Sequence, residues 1–375
     1  MMKDIFPGRL GIQQRVIPSY RAMFLETLAE ACQGGLSVFA GRPLPKEGID
    51  PVEELQNVQL VKAENKNFLD PSSSLYVCWQ NGFLQWLEEW QPDILIVEAN
   101  PRYPTTRQAI AWMHKNKRKV IGWGLGAPPM HGPFTSLRRR ERLSLLFSLD
   151  GIIAYSRQGA EQYLQLGVPR EKVHIAFNAA EPAPKDPMPV RPAQYSKGKA
   201  TILFIGRLQP RKRIDLLLQA CSAIPEELQP HLVVVGDGPA REKFESFANQ
   251  VYPSAKFVGA KHGDGLKPYF SEADLFVLPG TGGLAIQQAM AHGLPVIVAR
   301  GDGTQDDLIR SENGWQVPPN DVDALTRTLH QALSDPSLLR RKGEFSYRIV
   351  AEEINIEKMV EVFLQAINDA IDQPI

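Results

Sequence analysis

Residues 274–298 read DLFVLPGTGGLAIQQAMAHGLPVIV, and this stretch predicts the fold class. It begins with a short apolar run that is typical of a strand buried on both faces. A Pro-Gly-Thr-Gly-Gly turn and a run of good helix formers follow, and Gly293 and Pro295 end the helix before a second apolar run. The order strand, glycine loop, helix, strand is the repeating unit of a parallel α/β sheet. The loop either presents free backbone N–H groups to an anion at the helix N-terminus or is an ordinary turn.

The composition indicates a folded protein with no excess of either charge. The chain has 375 residues, with 42 basic and 42 acidic side chains and 43% hydrophobic residues. This length allows two domains, and the balanced charge gives no reason to expect nucleic acid binding. Cys32, Cys78 and Cys221 are widely separated, which fits neither a disulfide framework nor a zinc site and suits a reducing compartment. No apolar run approaches the roughly 20 residues that span a bilayer. We therefore expect a cytoplasmic protein, with peripheral attachment to the inner membrane face as an alternative.

A proline-rich segment divides the chain. Residues 179–199 read AAEPAPKDPMPVRPAQYSKGK, and this density of proline opposes both helix and sheet. On each side of it, apolar runs alternate with amphipathic segments. We predict a first Rossmann-like domain over residues 1–178, a linker over 179–199, a second domain over 200–350 and a terminal helix within 351–375. Two doubly wound domains imply a cleft between two sets of strand ends.

The first half also contains less regular segments. Residues 58–63 predict a weak strand, and a loop is expected near residues 66–74. Residues 75–90 carry aromatic side chains at helical spacing, which predicts one helix with an aromatic stripe turned to the core. The basic run over residues 138–142 precedes the apolar sequence LSLLF. It either lies on an anionic membrane surface or forms a solvated helix face.

Polar side chains follow several predicted strands of the first half, where ligands bind in open α/β sheets. Asn100 has an alternative role with Thr105 in capping the next helix, and His131 has an alternative role as polar surface. The candidate ligand residues of this half are Tyr20, Arg21, Glu98, Asn100, Arg102, Gly124 and His131.

In the second half, the strand over residues 201–205 is followed by GRLQPRKR. Arg207 and Lys212 therefore lie at the same sheet edge as the glycine loop 280–283. A guanidinium, an ammonium and a helix N-terminus that converge on one point would form a diphosphate site. The alternative is that residues 211–213 are a solvated basic turn.

Six blocks of the second half carry a family resemblance. In order they are GRLQPRKRIDLLLQA, VVVGDGPAREKF, FVGA, ADLFVLP, GLAIQQAMAHGLPVIV and NGWQVPPND. They resemble the nucleotide-sugar domain of the retaining family 4 (group 1) glycosyltransferases over residues 201–333, and the resemblance is looser over residues 1–178. It implies the GT-B architecture, in which two Rossmann-like domains face each other across a cleft and a C-terminal helix returns to the first domain.

The resemblance also implies a function. The chain would transfer a sugar from a nucleoside-diphosphate sugar to a hydroxyl of a glycan, lipid-linked or small-molecule acceptor, with retention of configuration and without a metal or other cofactor, as in polysaccharide biosynthesis. Arg207 and Lys212 would be catalytic because they hold the diphosphate, and the candidates of the first half would contact the acceptor. The implied donor-binding residues are Gly206, Arg207, Lys212, Gly236, Gly259, Ala260, Lys261, Gly282, Gly283, Leu284 and Gln288.

The sequence departs from the family pattern at two places. Of the family's two glutamates separated by seven residues, the second falls on Gln288 and the first on Gly280 or in a deletion, with Asp302, Asp306 and Asp307 as nearby replacements. The family's histidine falls near Gly124 or at the next residue, so that only His131 is close to it in sequence. These departures favour, as an alternative, a non-catalytic nucleotide-sugar-binding subunit of a transferase. A sugar-nucleotide epimerase is the less favoured alternative.

Overall fold

A computed structural model describes residues 5–282, 284–301 and 303–372 of the chain. The chain folds into two compact units. Unit 1 contains the chain up to Ala180 together with the C-terminal segment from Ile356, and unit 2 contains Glu181–Asn355.

The sheet of unit 1 has eight strands in the order β4-β3-β2-β1-β5-β6-β7-β8. All neighbours pair in parallel except β3 and β4, which are antiparallel. The strand order reverses direction between β1 and β5, as it does in doubly wound folds. The strands are β1 (Leu10–Val16), β2 (Leu36–Gly41), β3 (Val58–Phe68), β4 (Val77–Asn81), β5 (Ile94–Glu98), β6 (Lys119–Gly124), β7 (Gly151–Ala154) and β8 (Val173–Ile175).

Helices cover both faces of this sheet. Alternate residues of the central strands belong to two separate apolar clusters, because successive side chains of a strand point to opposite faces. One cluster includes Phe24 of the first helix, and the other includes Phe83, Trp86 and Tyr163 of later helices. The helices are α1 (Ala22–Glu30), α2 (Phe83–Trp90), α3 (Pro104–Lys115), α4 (Thr135–Phe147) and α5 (Arg157–Gln165).

The prediction of one helix over residues 75–90 is wrong. Residues 77–81 form β4, in which Cys78 and Gln80 are buried while the three alternate residues are partly exposed. Gly82 then adopts a left-handed conformation with φ 81°, and α2 begins after it. β4 pairs with β3, which extends to Phe68 and occupies part of the expected loop. The aromatic side chains of α2 do pack in the core, where Phe83 and Trp86 stack on Phe39 at centroid distances of 5.2 and 5.3 Å.

The sheet of unit 2 has six parallel strands in the order β11-β10-β9-β12-β13-β14. Numbered within the unit, this is the order 3-2-1-4-5-6 of a Rossmann fold. The order reverses between β9 and β12, so the loops that follow these two strands meet at the switch point. The strands are β9 (Thr201–Ile205), β10 (His231–Val235), β11 (Lys256–Phe257), β12 (Leu275–Leu278), β13 (Val296–Ala299) and β14 (Gly314–Val317).

The helices of unit 2 surround this sheet, and a last helix belongs to unit 1. The helices of unit 2 are α6 (Ile214–Ser222), α7 (Arg241–Val251), α8 (Lys267–Glu272), α9 (Leu284–Ala291), α10 (Val322–Leu333) and α11 (Pro336–Arg348). The helix α12 (Ile356–Asp372) returns to unit 1, where Phe363 packs against Phe24 and Trp123 with ring centroids 4.9 and 5.0 Å apart.

The segment predicted as a linker, residues 179–199, contains no helix or strand, as its prolines predict. Most of it nevertheless packs on unit 2. The partly buried guanidinium of Arg191 donates hydrogen bonds to the carbonyls of Phe270, Ala273 and Gly293, at 2.9, 3.1 and 3.1 Å. Hydrogen bonds of this kind hold a segment in place without regular secondary structure. The chain passes from unit 1 to unit 2 after Ala180, near the start of the predicted linker.

Within the residues that the structure describes, no helix combines the length and the apolar character needed to cross a membrane.

Candidate functional site

The loops after β9 and β12 meet at the switch point of unit 2. Lys212, in the loop after β9, contacts the glycine loop after β12 there. The Lys212 side chain is 8% exposed, and its Nζ donates a 2.7 Å hydrogen bond to the carbonyl of Thr281. Burial, and then the neighbouring charge of Arg211, lower the pKa of Lys212 to about 8. The ammonium is therefore held at the glycine loop at a desolvation cost, and it stays mostly protonated below about pH 8.

The glycine loop wraps closely around the 211–212 backbone. A Cβ at Gly280 would lie 2.1 Å from the Arg211 carbonyl oxygen, so this position tolerates only glycine. The Thr281 N–H donates to the same carbonyl at 3.2 Å, and the Gly282 N–H donates to Oε1 of Gln305 at 3.2 Å. The expectation that these N–H groups are free for an anion is therefore wrong for Thr281 and Gly282, while Gly283 lies outside the described residues. The side chain of Gln305 is itself anchored by a hydrogen bond to the Ala299 carbonyl.

A second close backbone contact joins the loops after β9 and β10. A Cβ at Gly236, which has φ 142°, would lie 1.9 Å from the Gly206 carbonyl oxygen. The Gly206 N–H donates to Val235 O at 3.0 Å, and the Leu208 N–H donates to Asp237 O at 2.8 Å. The two loops thus form one surface at the carboxyl edge of the sheet.

A cavity of about 560 Å³ opens over this surface. Its size lies within the range of about 300–1,000 Å³ that is usual for small-molecule sites. The structure places in its wall six of the predicted donor-binding residues: Gly206, Arg207, Gly236, Ala260, Lys261 and Gln288.

Four other predicted donor residues do not belong to the described lining of the cavity. Lys212 lies directly behind it, because a Cβ at Gly206 would be 3.7 Å from Lys212 Cε. Gly259 supports the wall through its carbonyl, which accepts the Gly236 N–H at 2.9 Å. Gly282 and Leu284 belong to the glycine loop and the start of α9.

Gln288 is paired with a carboxylate that the sequence analysis missed. Its Nε2 donates a 2.8 Å hydrogen bond to Oε1 of Glu181, and the neighbouring Gln287 accepts the Glu181 N–H at 3.3 Å. Gln287 in turn donates to the Ile354 carbonyl at 2.6 Å. Burial raises the pKa of Glu181, and the bond from Gln288 partly offsets that effect. The two glutamines thus hold a carboxylate beside the cavity, next to the position where the family has a glutamate.

Other residues at the cavity were also missed or have structural roles. Asp237 and His262 line it, and the only signal for Asp237 was its place in the block VVVGDGPAREKF. Among the suggested replacements for the missing glutamate, Asp306 accepts a 3.2 Å hydrogen bond from Gln316, and Asp307 is 8% exposed. Asp302 lies outside the described residues.

In unit 1, the Arg21 side chain is enclosed by aromatic rings. Its side chain is 6% exposed, and its guanidinium lies 4.8 Å from the ring centroid of Trp123, 5.5 Å from that of Tyr155 and 5.3 Å from that of Tyr20. Cation–π contacts of this kind stabilise a buried guanidinium. The prediction that Arg21 is available to a ligand is therefore wrong, and the half-buried Tyr20 is part of the same aromatic group.

Glu98 ends β5 within a network of polar side chains. Its Oε1 accepts the Arg15 N–H at 2.5 Å, and its own N–H donates to the buried Gln13 at 3.1 Å. Arg15 also forms an ion pair with Glu47 at 2.6 Å. Burial raises the pKa of Glu98, and Arg15 counteracts this rise. The sequence QQR within β1 was the unrecognised signal for this network, because consecutive polar residues are unusual in a central strand.

The remaining candidates of unit 1 are separated. A Cβ at Gly124 would lie 2.5 Å from Tyr163 Oη, so this glycine allows close packing of α5. His131 is exposed, and its carbonyl accepts a 2.9 Å hydrogen bond from Arg138. Asn100 accepts the Arg102 N–H at 3.2 Å, and both residues line a second, smaller cavity.

The switch-point site coincides with a known family domain. Residues 199–335 match the model of the family described as glycosyl transferases group 1. Over this segment the chain resembles the group 1 glycosyltransferases. The match begins just before β9 and ends just after α10, so it includes every strand of unit 2 and the cavity over its switch point. It confirms the family that the sequence blocks indicated.

Two named relatives match part of the chain. The chain is 29% identical to the sulfoquinovosyl transferase of Arabidopsis thaliana over 219 residues, which are 55% of this chain and 41% of the relative. It is 31% identical to a GDP-mannose-dependent alpha-mannosyltransferase of Mycobacterium tuberculosis over 197 residues, which are 48% of this chain and 49% of the relative. The matches therefore span less than half the length of these relatives.

The fold of the chain is shared with solved glycosyltransferases. The structure of HepE from Anabaena in complex with UDP superposes with a TM-score of 0.70 and 15% identity, over 96% of this chain and 99% of that one. At this level of identity the likeness shows the fold alone. It confirms the prediction of two Rossmann-like domains of the GT-B class, and α12 confirms that the terminal helix returns to the first unit.

We expect Glu181→Gln to stabilise the protein at neutral pH. Because burial raises the pKa of Glu181 above its usual value of 4.5, the carboxylate ionises at a free-energy cost in the folded state. Below pH 4.5 both folded and unfolded states are protonated, so the variant should gain little there. The gain in free energy of unfolding should appear as the pH rises through the raised pKa, measured by denaturant titration at several pH values.

The exposed Glu227 provides the matched control, since Glu227→Gln should give no such pH dependence. An equal gain for Glu181→Gln at all pH values would contradict the assignment of a costly buried charge.

Proposed function

We propose that the chain is a glycosyltransferase that moves a sugar from a nucleoside-diphosphate sugar to an acceptor hydroxyl. The observation that carries this proposal is the position of two cations at the switch point of unit 2. Arg207 lines the cavity of about 560 Å³, and Lys212 lies behind its wall at the glycine loop. A guanidinium and an ammonium placed together suit a diphosphate, which carries several negative oxygens.

The proposed chemistry follows from this charge arrangement. Cleavage of the bond between the anomeric carbon and the diphosphate oxygen leaves negative charge on the diphosphate. Cations that are already in position stabilise that charge in the transition state, and the loss of one such group typically lowers the rate about 10²–10³-fold. We propose that the acceptor hydroxyl attacks from the face that the diphosphate leaves, so that configuration is retained, as in the family that the chain resembles.

The cavity also has residues suited to a nucleoside. Ala260 and Lys261 line it and, as the family resemblance implies, would face the base. Near α9, the Glu181 carboxylate can accept hydrogen bonds from ribose hydroxyls, and the Gln288 amide orients that carboxylate. The solved complex of HepE with UDP supports a nucleoside diphosphate as the ligand class. A panel of UDP-, GDP- and ADP-sugars in thermal-shift measurements would identify the base, because a ligand at 100 times its Kd adds about 2.7 kcal/mol of stability.

We expect Arg207→Ala to lower the turnover number about a hundredfold or more. The variant loses a cation next to the developing charge while the cavity and the glycine loop are kept. Sugar transfer from the donor that the panel identifies would be measured under saturating conditions. Arg327, which is exposed on α10 outside the cavity, provides the control variant Arg327→Ala with unchanged turnover. Unchanged transfer by Arg207→Ala would refute the assignment, and donor binding without any transfer or hydrolysis by the wild type would favour a non-catalytic binding subunit.

We expect the affinity for UDP to fall as the pH rises through about 8, the value to which burial lowers the pKa of Lys212. Above that pH the amine is neutral and no longer attracts the diphosphate, whereas the diphosphate itself keeps its charge. Isothermal titration calorimetry one pH unit below and one unit above this value would show the difference. Lys212→Arg, which stays protonated, should bind UDP with nearly the same affinity at both values. The same pH dependence in Lys212→Arg would assign the effect to another group.

We propose that transfer requires no metal or other cofactor, because Arg207 and Lys212 would supply the positive charge that a metal gives in other transferases. The expected outcome is an unchanged rate after dialysis against EDTA and in its presence. A rate that falls with the chelator and returns with added Mg²⁺ or Mn²⁺ would contradict this part of the proposal while leaving donor binding intact.

A further inference from the structure

A second cavity lies in unit 1 and is distinct from the donor cavity. It is lined by residues 74–77, by residues 100–102 after β5, and by Met130 and one face of α4. Its volume is about 190 Å³. This is below the usual range of about 300–1,000 Å³ for whole ligands and equals the volume of about six water molecules. The cavity therefore has room for a small head group.

Two arginines of the basic run are turned into this cavity. Arg138 and Arg142 line it, because residues four apart lie on the same face of a helix. Arg139 and Arg140 are exposed and do not line it. Arg102 reaches the cavity from the loop after β5. Three guanidinium groups from two elements thus surround one small space.

The protein does not neutralise these three charges. The carboxylate of Glu141, which also lines the cavity, forms an ion pair with Arg107 at 2.6 Å. Across residues 5–282, 284–301 and 303–372, none of the three cavity arginines forms an ion pair with a carboxylate. Burial, and then the nearby charges of Arg138 and Arg102, lower the pKa of Arg142. The cavity therefore holds like charges at short range.

Neutral hydrogen bonds hold two of the guanidiniums in position. Arg138 donates to the His131 carbonyl at 2.9 Å, and Arg142 donates to the Pro128 carbonyl at 2.7 Å. Each guanidinium has five N–H donors, so these bonds leave further donors for a ligand. Asn100 is fixed at the rim by its bond to the Arg102 N–H.

We propose that this cavity binds a phosphate group carried by the acceptor. Three guanidiniums match a doubly charged phosphate better than a single carboxylate, and planar guanidiniums pair with phosphate oxygens in bidentate fashion. The proposal rests on the proposed function only in assigning the phosphate to an acceptor. The phosphate belongs either to a soluble phosphorylated saccharide or to a lipid head group. The exposed Phe134, just before α4, and the exposed Leu137 on α4 would contact the lipid.

The first experiment measures phosphate binding without any donor. Inorganic phosphate and glucose 1-phosphate are titrated into the full-length protein by calorimetry at low salt. We expect saturable binding that weakens about tenfold or more in the double variant Arg102→Gln/Arg138→Gln. Each substitution removes a charged hydrogen bond between a guanidinium and the phosphate. The double variant Arg139→Gln/Arg140→Gln is the control, because it has the same net charge as Arg102→Gln/Arg138→Gln. It should bind phosphate with the affinity of the wild type. The absence of saturable binding, or equal weakening in both variants, would overturn the proposal.

The second experiment distinguishes the two sources of the phosphate. Vesicles of phosphatidylcholine with phosphatidic acid are sedimented with each variant, with and without glucose 1-phosphate. Binding that is lost in Arg102→Gln/Arg138→Gln, retained in Arg139→Gln/Arg140→Gln and inhibited by glucose 1-phosphate identifies a lipid head group. Binding of glucose 1-phosphate without binding to vesicles identifies a soluble acceptor. Vesicle binding that is lost only in Arg139→Gln/Arg140→Gln, together with no glucose 1-phosphate binding, indicates surface attraction alone and overturns the proposal.

A stability measurement keeps the test independent of folding defects. Because the cavity arginines repel one another, Arg102→Gln/Arg138→Gln should unfold at the wild-type temperature or above it when no phosphate is present. Phosphate should raise the unfolding temperature of the wild type more than that of this variant, which keeps the donor site, and an equal rise in both would overturn the proposal. UDP binding in unit 2 should be the same in both proteins, so a failure of the proposed donor function and a failure of this inference give different results.

Discussion

The donor cavity depends on backbone contacts that are shorter than any side chain allows. At Gly236 and Gly280, an added Cβ would lie 1.9 and 2.1 Å from carbonyl oxygens of neighbouring loops. These approaches bring the loops after β9, β10 and β12 into one surface, and they set the position of Arg207 and Lys212 relative to the cavity. A substitution there would separate the loops and so displace the cations, because backbone oxygens at such distances cannot be moved by a change of rotamer.

The departure at Gln288 is partly compensated within the structure. A carboxylate is still present beside α9, but it comes from Glu181 at the start of unit 2. Gln287 and Gln288 hold its backbone and its side chain respectively. The amide at position 288 therefore orients an acidic group, whereas a glutamate there would face Glu181 with a like charge. An amide at position 288 and a carboxylate at position 181 therefore suit each other, because the amide can donate a hydrogen bond to the carboxylate.

The strand and loop pattern of unit 2 could be predicted because each element has its own local signal. Apolar runs end in glycines at β9, β10 and β12, and this places Arg207, Gly236 and Gln288 at one edge without knowledge of the coordinates. Residues 75–90 could not be predicted in this way, since the aromatic spacing that suggests a helix also fits the short strand β4 followed by α2. There the antiparallel pairing of β4 with β3 decides the structure.

The functional site was harder to predict than the fold, because some of its contacts join residues that are far apart in the sequence. Glu181 and Gln288 are 107 residues apart, and a proline-rich segment gives no periodic signal for the position of one carboxylate. Arg21 was misjudged for the same reason, because the rings that enclose it come from Tyr20, Trp123 and Tyr155. Loop position predicts which side chains are near a sheet edge, but packing decides which of them face a ligand.

The return of α12 to unit 1 has a consequence for the order in which the protein is made. Phe363 and Ile367 of this helix belong to the same apolar cluster as Phe24, so the core of unit 1 needs a helix that follows unit 2 in the chain. All of unit 2, Glu181–Asn355, is synthesised before it. Since domains generally fold as units during synthesis, unit 2 can complete its core first, while the nascent unit 1 keeps the apolar surface around Phe24 and Trp123 uncovered. Unit 1 thus begins before unit 2 and completes its core after it.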